Sequence, residues 1–312
     1  MILISEDVWG TPFQDLEGSF PIHRDDDLWK DPEKLKASLK DATALVVRNR
    51  TKVTADVIAA APHLKVIARA GVGLDNIDVK AADAAGIVVV AGLGANAVSV
   101  GELTLGLALS LLRNIPGHDV ATRAGGWVRS PGRELSGLTW GLLGCGATGL
   151  ATAKLLQGFG CTIIGYDPFA KNLQGVELTT FDDVLVRSDV VSIHMPSTPQ
   201  TNGVMDSKAF ARMKPDAIIV NVGRGEVINE ADLIEALKNK VISGAALDVR
   251  AVEPALTGEM ETVPNLILTP HVAGITSESQ LRINQILASN IALVLQSKEA
   301  THAVGALKVS SN

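Results

Sequence analysis

Cysteine is nearly absent. Two thiols, Cys145 and Cys161, stand among 312 residues, which fits a reducing cytoplasm. Cys145 sits inside a glycine-rich turn, where its small size accounts for its presence, and neither thiol is assigned a catalytic role. Positive charge is also short: 28 Lys and Arg against 34 Asp and Glu give a net charge of −6 and a pI near 5.5, so there is no basic face for nucleic acid. No uninterrupted apolar run approaches the roughly 18 residues needed to span a membrane. The opening "MILISEDVWG" goes straight into a strand, without the basic region and apolar core of a signal peptide. Small molecules remain as the expected partners, and no metal is expected. Apolar residues, by contrast, are plentiful, at 46% with a mean hydropathy of +0.24, enough for two globular domains with sizeable cores.

Strand-like runs alternate with helical ones from the start: "ILIS", "ALVVRN" (44 to 49), "LKVIARA" (64 to 70) and "GIVVVAG" (86 to 92). The alternation predicts a parallel sheet. From Val98 the stretch "VSVGELTLGLALSLLRNIP" reads as a long helix ended near Pro116. A second set follows with "DVVSIHMP" (189 to 196), "AIIVNVGRG" (217 to 225), "GAALDV" (244 to 249) and "LILTPHVAG" (266 to 274), before a helical stretch from Ser277 to Gln296. That last helix would return the chain to the first domain. The expected fold is therefore α/β, with two Rossmann-like parallel-sheet domains, one flavodoxin-like and one dinucleotide-binding, and a cleft between them. Residues 1–97 with 285–312 would form the substrate-binding domain, and 98–284 the cofactor domain.

The segment "TWGLLGCGATGLATAKLLQGFGCTIIGYDP" (139 to 168) carries the strongest signal. An apolar strand leads into Gly144, Gly146 and Gly149 at G-x-G-x-x-G spacing, then an alanine- and leucine-rich helix. The first glycine permits a tight turn, the second lets a pyrophosphate approach the backbone, and the third packs the helix on the strand. Phosphates would rest on free amides at the helix N-terminus. A second strand ends in Asp167, where an acid would accept both hydroxyls of an adenosine ribose, so NAD rather than NADP is expected.

Ligands of open α/β sheets bind beyond the carboxyl ends of the strands. There Arg224 follows "AIIVNVG", Glu253 follows "GAALDV" and His271 follows "LILTP". A histidine can take the hydroxyl proton when a hydride leaves the same carbon. A carboxylate on its other ring nitrogen would fix the tautomer, and a guanidinium can hold a substrate carboxylate while polarising the carbonyl oxygen. Taken singly, each has a structural alternative: a turn cap, a solvated loop acid and a hydrogen-bonded structural histidine. The three together in this order point to a 2-hydroxy acid site.

The segments "ARAGVGLDNID" (68 to 78), "GLLGCGATG" (141 to 149), "HMPSTPQT" (194 to 201), "NVGRGEVINE" (221 to 230), "ALDVRAVEP" (246 to 254) and "TPHVAG" (269 to 274) resemble the successive signatures of the D-isomer-specific 2-hydroxyacid dehydrogenases. The resemblance covers nearly the whole chain. It is nearest to the phosphoglycerate dehydrogenase and hydroxypyruvate reductase branch, which "VVRNRTKVTADVI" (46 to 58) strengthens. It implies that Arg224 binds the substrate's carboxylate and carbonyl, that His271 is the acid/base and that Glu253 is its partner. Gly71, Val72 and Gly73 would offer amides to the same carboxylate. On the cofactor side it implies Ala147 and Thr148 at the pyrophosphate, Asp167 on the ribose, Pro196 and Thr201 around the adenosine half, and Asp248 at the nicotinamide amide. Pro168, His194, Val222, Gly223 and Gly274 complete the implied cofactor set.

Arg48 and Arg50 follow a strand in "VVRNRT", and Arg69 lies beside the Gly71–Gly73 loop. Along an extended segment Arg48 and Arg50 point to one side, so a second anionic group on the substrate, such as a phosphate, sulfonate or carboxylate, is expected. Surface cations are the alternative. The long helix from Val98 and the arm containing Trp127 imply a two-fold homodimer, as the family does.

The chain also departs from the family pattern. Ala147 and Thr148 stand where an arginine and an isoleucine are usual, Arg250 replaces an aromatic after "LDV", and the loop "GGWVRSPGRELSG" (125 to 137) is about two residues short. With no extension past 312, feedback by serine is not expected. Two other readings remain: a redox-sensing corepressor resembling the C-terminal-binding proteins, and a formate dehydrogenase. The latter carries glutamine where Glu253 stands here.

Overall fold

The computed structural model describes residues 1–8 and 13–311. Residues 9–12 and 312, which include the end of the "MILISEDVWG" opening and the last residue of the expected C-terminal segment, lie outside the described residues. The chain divides into two compact units, Met1–Asn96 with Ile275–Asn312, and Ala97–Gly274. The junction thus falls at 274/275 rather than 284/285, because the final helix, Ser277–Leu295, is one continuous element whose buried residues Ile283, Leu287, Ile291 and Val294 pack into the core of unit 1.

Unit 1 contains β1 (Ile2–Ile4), α1 (Gln14–Glu17), β2 (Ile22–Arg24), α2 (Pro32–Leu39), β3 (Ala44–Val47), α3 (Ala55–Ala59), β4 (Val66–Arg69), α4 (Val79–Ala84) and β5 (Val88–Ala91). Its strands are all parallel, in the order β2-β1-β3-β4-β5, the flavodoxin-type order. Strand side chains alternate, so each apolar run feeds two cores. Ile2, Ile4, Val46, Val66, Val88 and Val90 meet Ile283, Leu287, Ile291 and Val294 of the final helix. Leu3, Leu45, Ile67 and Val89 meet Leu35, Leu39, Val57 and Leu64 on the opposite face. The helix starts at a capping box between Thr276 and Ser279. Beyond it the chain lies along β5: the Val304 amide donates to Val89 O at 2.9 Å and the Ala91 amide to His302 O at 3.3 Å, which covers the sheet edge.

Unit 2 contains α5 (Ala97–Leu112), α6 (Ile115–Arg123), β6 (Thr139–Leu143), α7 (Ala147–Leu156), β7 (Thr162–Tyr166), β8 (Glu177–Leu178), α8 (Phe181–Arg187), β9 (Val190–Ile193), α9 (Ser207–Arg212), β10 (Ile218–Asn221), α10 (Glu230–Lys238), β11 (Gly244–Leu247) and β12 (Leu266–Leu268). The parallel order β12-β11-β10-β9-β6-β7-β8 runs outward from β6 in both directions. The chain reverses between β6 and β9, and loops on either side of such a switch point leave room for a ligand. Both sheets are those expected of an α/β chain with one flavodoxin-like and one dinucleotide-binding half. The helix read to Pro116 ends at Leu112 instead, and Pro116 sits in the first turn of α6, where a missing amide hydrogen costs no helical bond. No single described helix is long and apolar enough to cross a membrane.

One buried acid organises the carboxyl edge of unit 1. Glu6, two residues past β1 and 2% exposed, accepts the amides of Arg48, Asn49, Arg50 and Thr51 at 2.8, 3.2, 2.8 and 2.8 Å. Truncation would leave several inward amides without an acceptor. Glu6→Ala is expected to destabilise the protein by about 2–4 kcal/mol, read as a lower urea midpoint; an unchanged midpoint would show that these amides find other acceptors.

Candidate active site

Unit 2 passes from β6 into α7 through the glycine turn. Gly144 has φ of +96°, and a methyl there would stand 3.0 Å from His194 C and Met195 N, just past β9, so glycine serves both conformation and close approach. Gly149 packs against the Gly144 carbonyl, with which a methyl would overlap. Gly146 differs. It is the N-cap of α7, no side chain caps the helix there, and a methyl would meet nothing within 4 Å. Open space above uncapped amides at Ala147 and Thr148 suits a phosphate. Asp167, directly after β7, accepts the Cys145 amide on Oδ2 and the Phe169 amide on Oδ1, both at 2.9 Å. Each oxygen keeps acceptor capacity for a hydroxyl. Burial and the nearby Asp167 charge push the Cys145 thiol up to about 11, so it stays protonated.

His194 follows β9 and ends a polar chain through the sheet. Trp140 Nε1 donates to Ser192 Oγ at 2.8 Å, and Ser192 Oγ lies 3.1 Å from His194 Nε2. Burial pushes the imidazole down to about 3, so it is neutral. Its Nδ1 is enclosed and makes no hydrogen bond among the described residues. Thr201, by contrast, is engaged within its own turn: its hydroxyl donates to Pro196 O at 2.7 Å and accepts the Thr198 amide at 2.9 Å.

At the end of β10, buried Asn221 bends the chain back on itself. Its Oδ1 accepts the Gly223 amide at 3.1 Å and its Nδ2 donates to Arg224 O at 3.0 Å. Arg224 is half-buried, with Nη1 donating to Gly223 O at 2.9 Å. Gly225 then packs so closely on the Arg250–Ala251 peptide that a methyl would overlap it. The Arg224 turn and the turn after β11 are thereby locked together.

Asp248, the first residue beyond β11 and 1% exposed, performs an internal task that its place in the motif did not announce. Oδ1 accepts Thr269 Oγ1 at 2.6 Å and the Val272 amide at 2.9 Å, and Oδ2 accepts the Ala273 amide at 2.8 Å. The His271 amide donates to Asp248 O at 2.8 Å. These bonds hold His271 at φ of +55°, a left-handed conformation unfavourable for a residue with a Cβ. The imidazole meets Glu253 there, with Nδ1 2.7 Å from Oε2. The hydrogen bond to Glu253 raises the His271 pKa above its ordinary value, against burial, with the charges of Glu253 and Asp248 adding and Arg224 opposing. Partial burial opposes ionisation of Glu253, but the bonds from His271 and the Arg250 amide hold it below the usual carboxylate range. His271 and Glu253 thus stand within hydrogen-bond distance, on the unit that carries the glycine turn and Arg224.

In unit 1 the arginines stand differently from the extended reading. β3 stops at Val47, and the amides of 48 to 51 curl around the Glu6 carboxylate, so strand alternation does not govern Arg48 and Arg50. The Arg50 guanidinium lies over the Trp29 ring, 4.9 Å from its centroid, a cation–π contact. Arg48 is half-buried. The Arg69 guanidinium folds across Gly71, where a methyl would collide with it, and Val72 and Gly73 are half-buried. Asn221, Ser192, Thr269 and Glu230 were not singled out in the sequence. For Asn221 and Ser192 the available signal was a polar residue within an otherwise apolar strand.

A family model described as "D-isomer specific 2-hydroxyacid dehydrogenase, NAD binding domain" matches residues 105–273. D-3-phosphoglycerate dehydrogenase of Mycobacterium tuberculosis is 40% identical over 280 residues, covering 88% of this chain and 53% of its own length. The enzyme of that name from Methanocaldococcus jannaschii is 44% identical over 279 residues, covering 87% and 53%. The chain therefore spans about half the length of these curated relatives. Among solved structures, the TT0316 protein of Thermus thermophilus superposes with a TM-score of 0.90 at 30% identity, covering 97% of this chain and 99% of that one. An NADPH-dependent glyoxylate/hydroxypyruvate reductase of Sinorhizobium meliloti, in complex with NADP and malonate, gives 0.88 at 28%, covering 100% and 98%.

Proposed function

Because the chain belongs to the D-isomer-specific 2-hydroxyacid dehydrogenase family, we propose that it is an NAD-dependent oxidoreductase interconverting a small D-2-hydroxy acid and its 2-keto acid. The observation that carries this reading is the 2.7 Å His271–Glu253 pair on the same unit as the Arg224 turn and the open glycine turn. Glu253 holds Nδ1 of His271, which leaves Nε2 to take the hydroxyl proton during oxidation and to return it to the carbonyl oxygen during reduction. Arg224 binds the substrate carboxylate and polarises that carbonyl. When bound, the dinucleotide accepts or supplies the hydride at C2. The amides of Ala147 and Thr148, with the open space at Gly146, would hold its phosphates. Asp167 would take the ribose hydroxyls, and His194, Pro196, Thr201, Val222, Gly223 and Gly274 would hold the rest of it. Gly71, Val72 and Gly73 of unit 1 serve the substrate carboxylate.

The name shared by the curated relatives supports a doubly anionic keto acid, with Arg48, Arg50 and Arg69 as the cations for its tail. The reductase among the structural relatives favours a singly charged one. The unpaired thiols Cys145 and Cys161 suit a reducing cytoplasm. Ile115, Val120, Trp127 and Val128, exposed at 53%, 68%, 84% and 65%, are an apolar arm of the kind that a homodimer covers.

His271→Ala is expected to lower kcat by about two to four orders of magnitude with the dissociation constant for NADH unchanged, and near-normal turnover would remove His271 from the chemistry. In the same assay kcat/KM should be far higher with NADH than with NADPH, whose 2′-phosphate Asp167 would repel. Phosphohydroxypyruvate should be reduced more efficiently than glyoxylate or hydroxypyruvate; parity between cofactors, or the reverse order of substrates, would overturn the respective assignment. Light scattering at micromolar concentration should return the mass of a dimer, and a monomeric mass would contradict the arm's role.

A further inference from the structure

The clearest departure from the family pattern within the site's own loops is Arg250, where an aromatic is usual, and the structure gives it a specific task. Its guanidinium is gripped on two sides. Nε and Nη2 donate to Glu230 Oε1 and Oε2 at 2.9 and 3.1 Å, a two-pronged pair at the start of α10, and Nη1 donates to Glu261 Oε1 at 3.1 Å. The side chains of Arg250 and Glu230 are only 14% and 25% exposed, so this two-pronged pair is partly shielded and directional, unlike an ordinary surface ion pair, while the contact to Glu261 lies at the surface. Glu230 Oε1 also accepts the Ala251 amide at 2.9 Å. The clamp therefore fixes the backbone on both sides of the 250–251 peptide, the same peptide that Gly225 approaches too closely for a methyl.

This peptide leads directly to the reacting pair. The Arg250 amide donates to Glu253 Oε1 at 3.0 Å, while Glu253 Oε2 holds His271 Nδ1 at 2.7 Å. The two oxygens of Glu253 are thus divided between the clamped backbone and the histidine. We propose that Arg250 is a positioning residue for the acid/base pair: held by Glu230 and Glu261, it fixes the 250–253 turn so that Glu253 meets both the Arg250 amide and His271. The assignment rests on the proposed dehydrogenase reading and extends it to a residue whose guanidinium is taken up by Glu230 and Glu261.

The charged groups acting on His271 are Glu253, Asp248 and Arg224, and those acting on Glu253 are His271 and Arg224. Arg250 acts through geometry. If the turn is loosened, Glu253 leaves His271, whose raised pKa falls back toward its ordinary value. Reduction needs His271 protonated, so its alkaline limb then moves to lower pH. Arg250→Met should lower kcat for keto-acid reduction by about ten- to a hundredfold, the scale of a small misplacement of a catalytic group. KM for NADH should hold, and the alkaline midpoint should shift down. Arg250→Lys, retaining one ion pair, should fall between Met and wild type, and Glu230→Gln should shift the midpoint the same way if Arg250→Met does not fold. Glu253→Gln serves as the reference and should give a larger shift. A wild-type midpoint in Arg250→Met alongside a shifted Glu253→Gln would overturn the positioning role and leave the dehydrogenase reading intact, and so would a loss of thermal stability alone. Absence of keto-acid reduction in the wild type, or a Glu253→Gln profile identical to it, would overturn the reading itself.

Discussion

The Asp248 carboxylate is the constraint on which the candidate site depends. A charge that is 1% exposed is unfavourable unless every nearby donor is turned toward it, and here the Thr269 hydroxyl and the Val272 and Ala273 amides are. Those bonds bring the chain past β12 into a tight curl, and His271 occupies the left-handed position that the curl requires. The imidazole reaches Glu253 because the backbone beneath it is held. The same device recurs in unit 1, where Glu6 gathers four consecutive amides. Parallel sheets end in loops whose amides have no strand partner, and an inward acid is an efficient way to satisfy several of them at once.

Two histidines of unit 2 are driven in opposite directions by their surroundings. His194, enclosed against the glycine turn and joined through Ser192 to Trp140, is pushed down to about 3 by burial. His271, half-exposed against an ionised partner, is raised. Environments that separate the titration of like groups separate their tasks: a permanently neutral imidazole can only take part in hydrogen bonding, whereas one whose protonated form is favoured by a carboxylate can hold and give up a proton.

Long apolar runs were legible because their burial on both faces leaves no doubt about their character. "ALVV" and "IIVN" became central strands, and "VVVA" became β5, an edge strand fully buried beneath the C-terminal segment. The edge strands Ile22–Arg24 and Glu177–Leu178 were not, since a short, half-exposed edge has neither an apolar run nor alternation. The arginines of "VVRNRT" show a second limit. Alternation holds only while the chain is extended, and whether it stays extended past Val47 depended on Glu6, more than forty residues earlier. Likewise nothing local to "LDVRAVEP" reveals that Glu230 and Glu261 will converge on Arg250.

The sequence by itself determined the α/β class, the glycine turn with its acid after the next strand, and the order in which Arg224, Glu253 and His271 follow their strands. Each is a local matter of periodicity, of glycine where a Cβ has no room, or of residue type at a strand end. Only the tertiary structure decided that His271 and Glu253 stand at hydrogen-bond distance, that Asp248 is occupied within the chain, and that Arg250 is clamped. Such pairings lie between residues on different loops, and a hydrogen bond is made or lost within about half an ångström, a precision that only the packed sheets and their buried carboxylates impose.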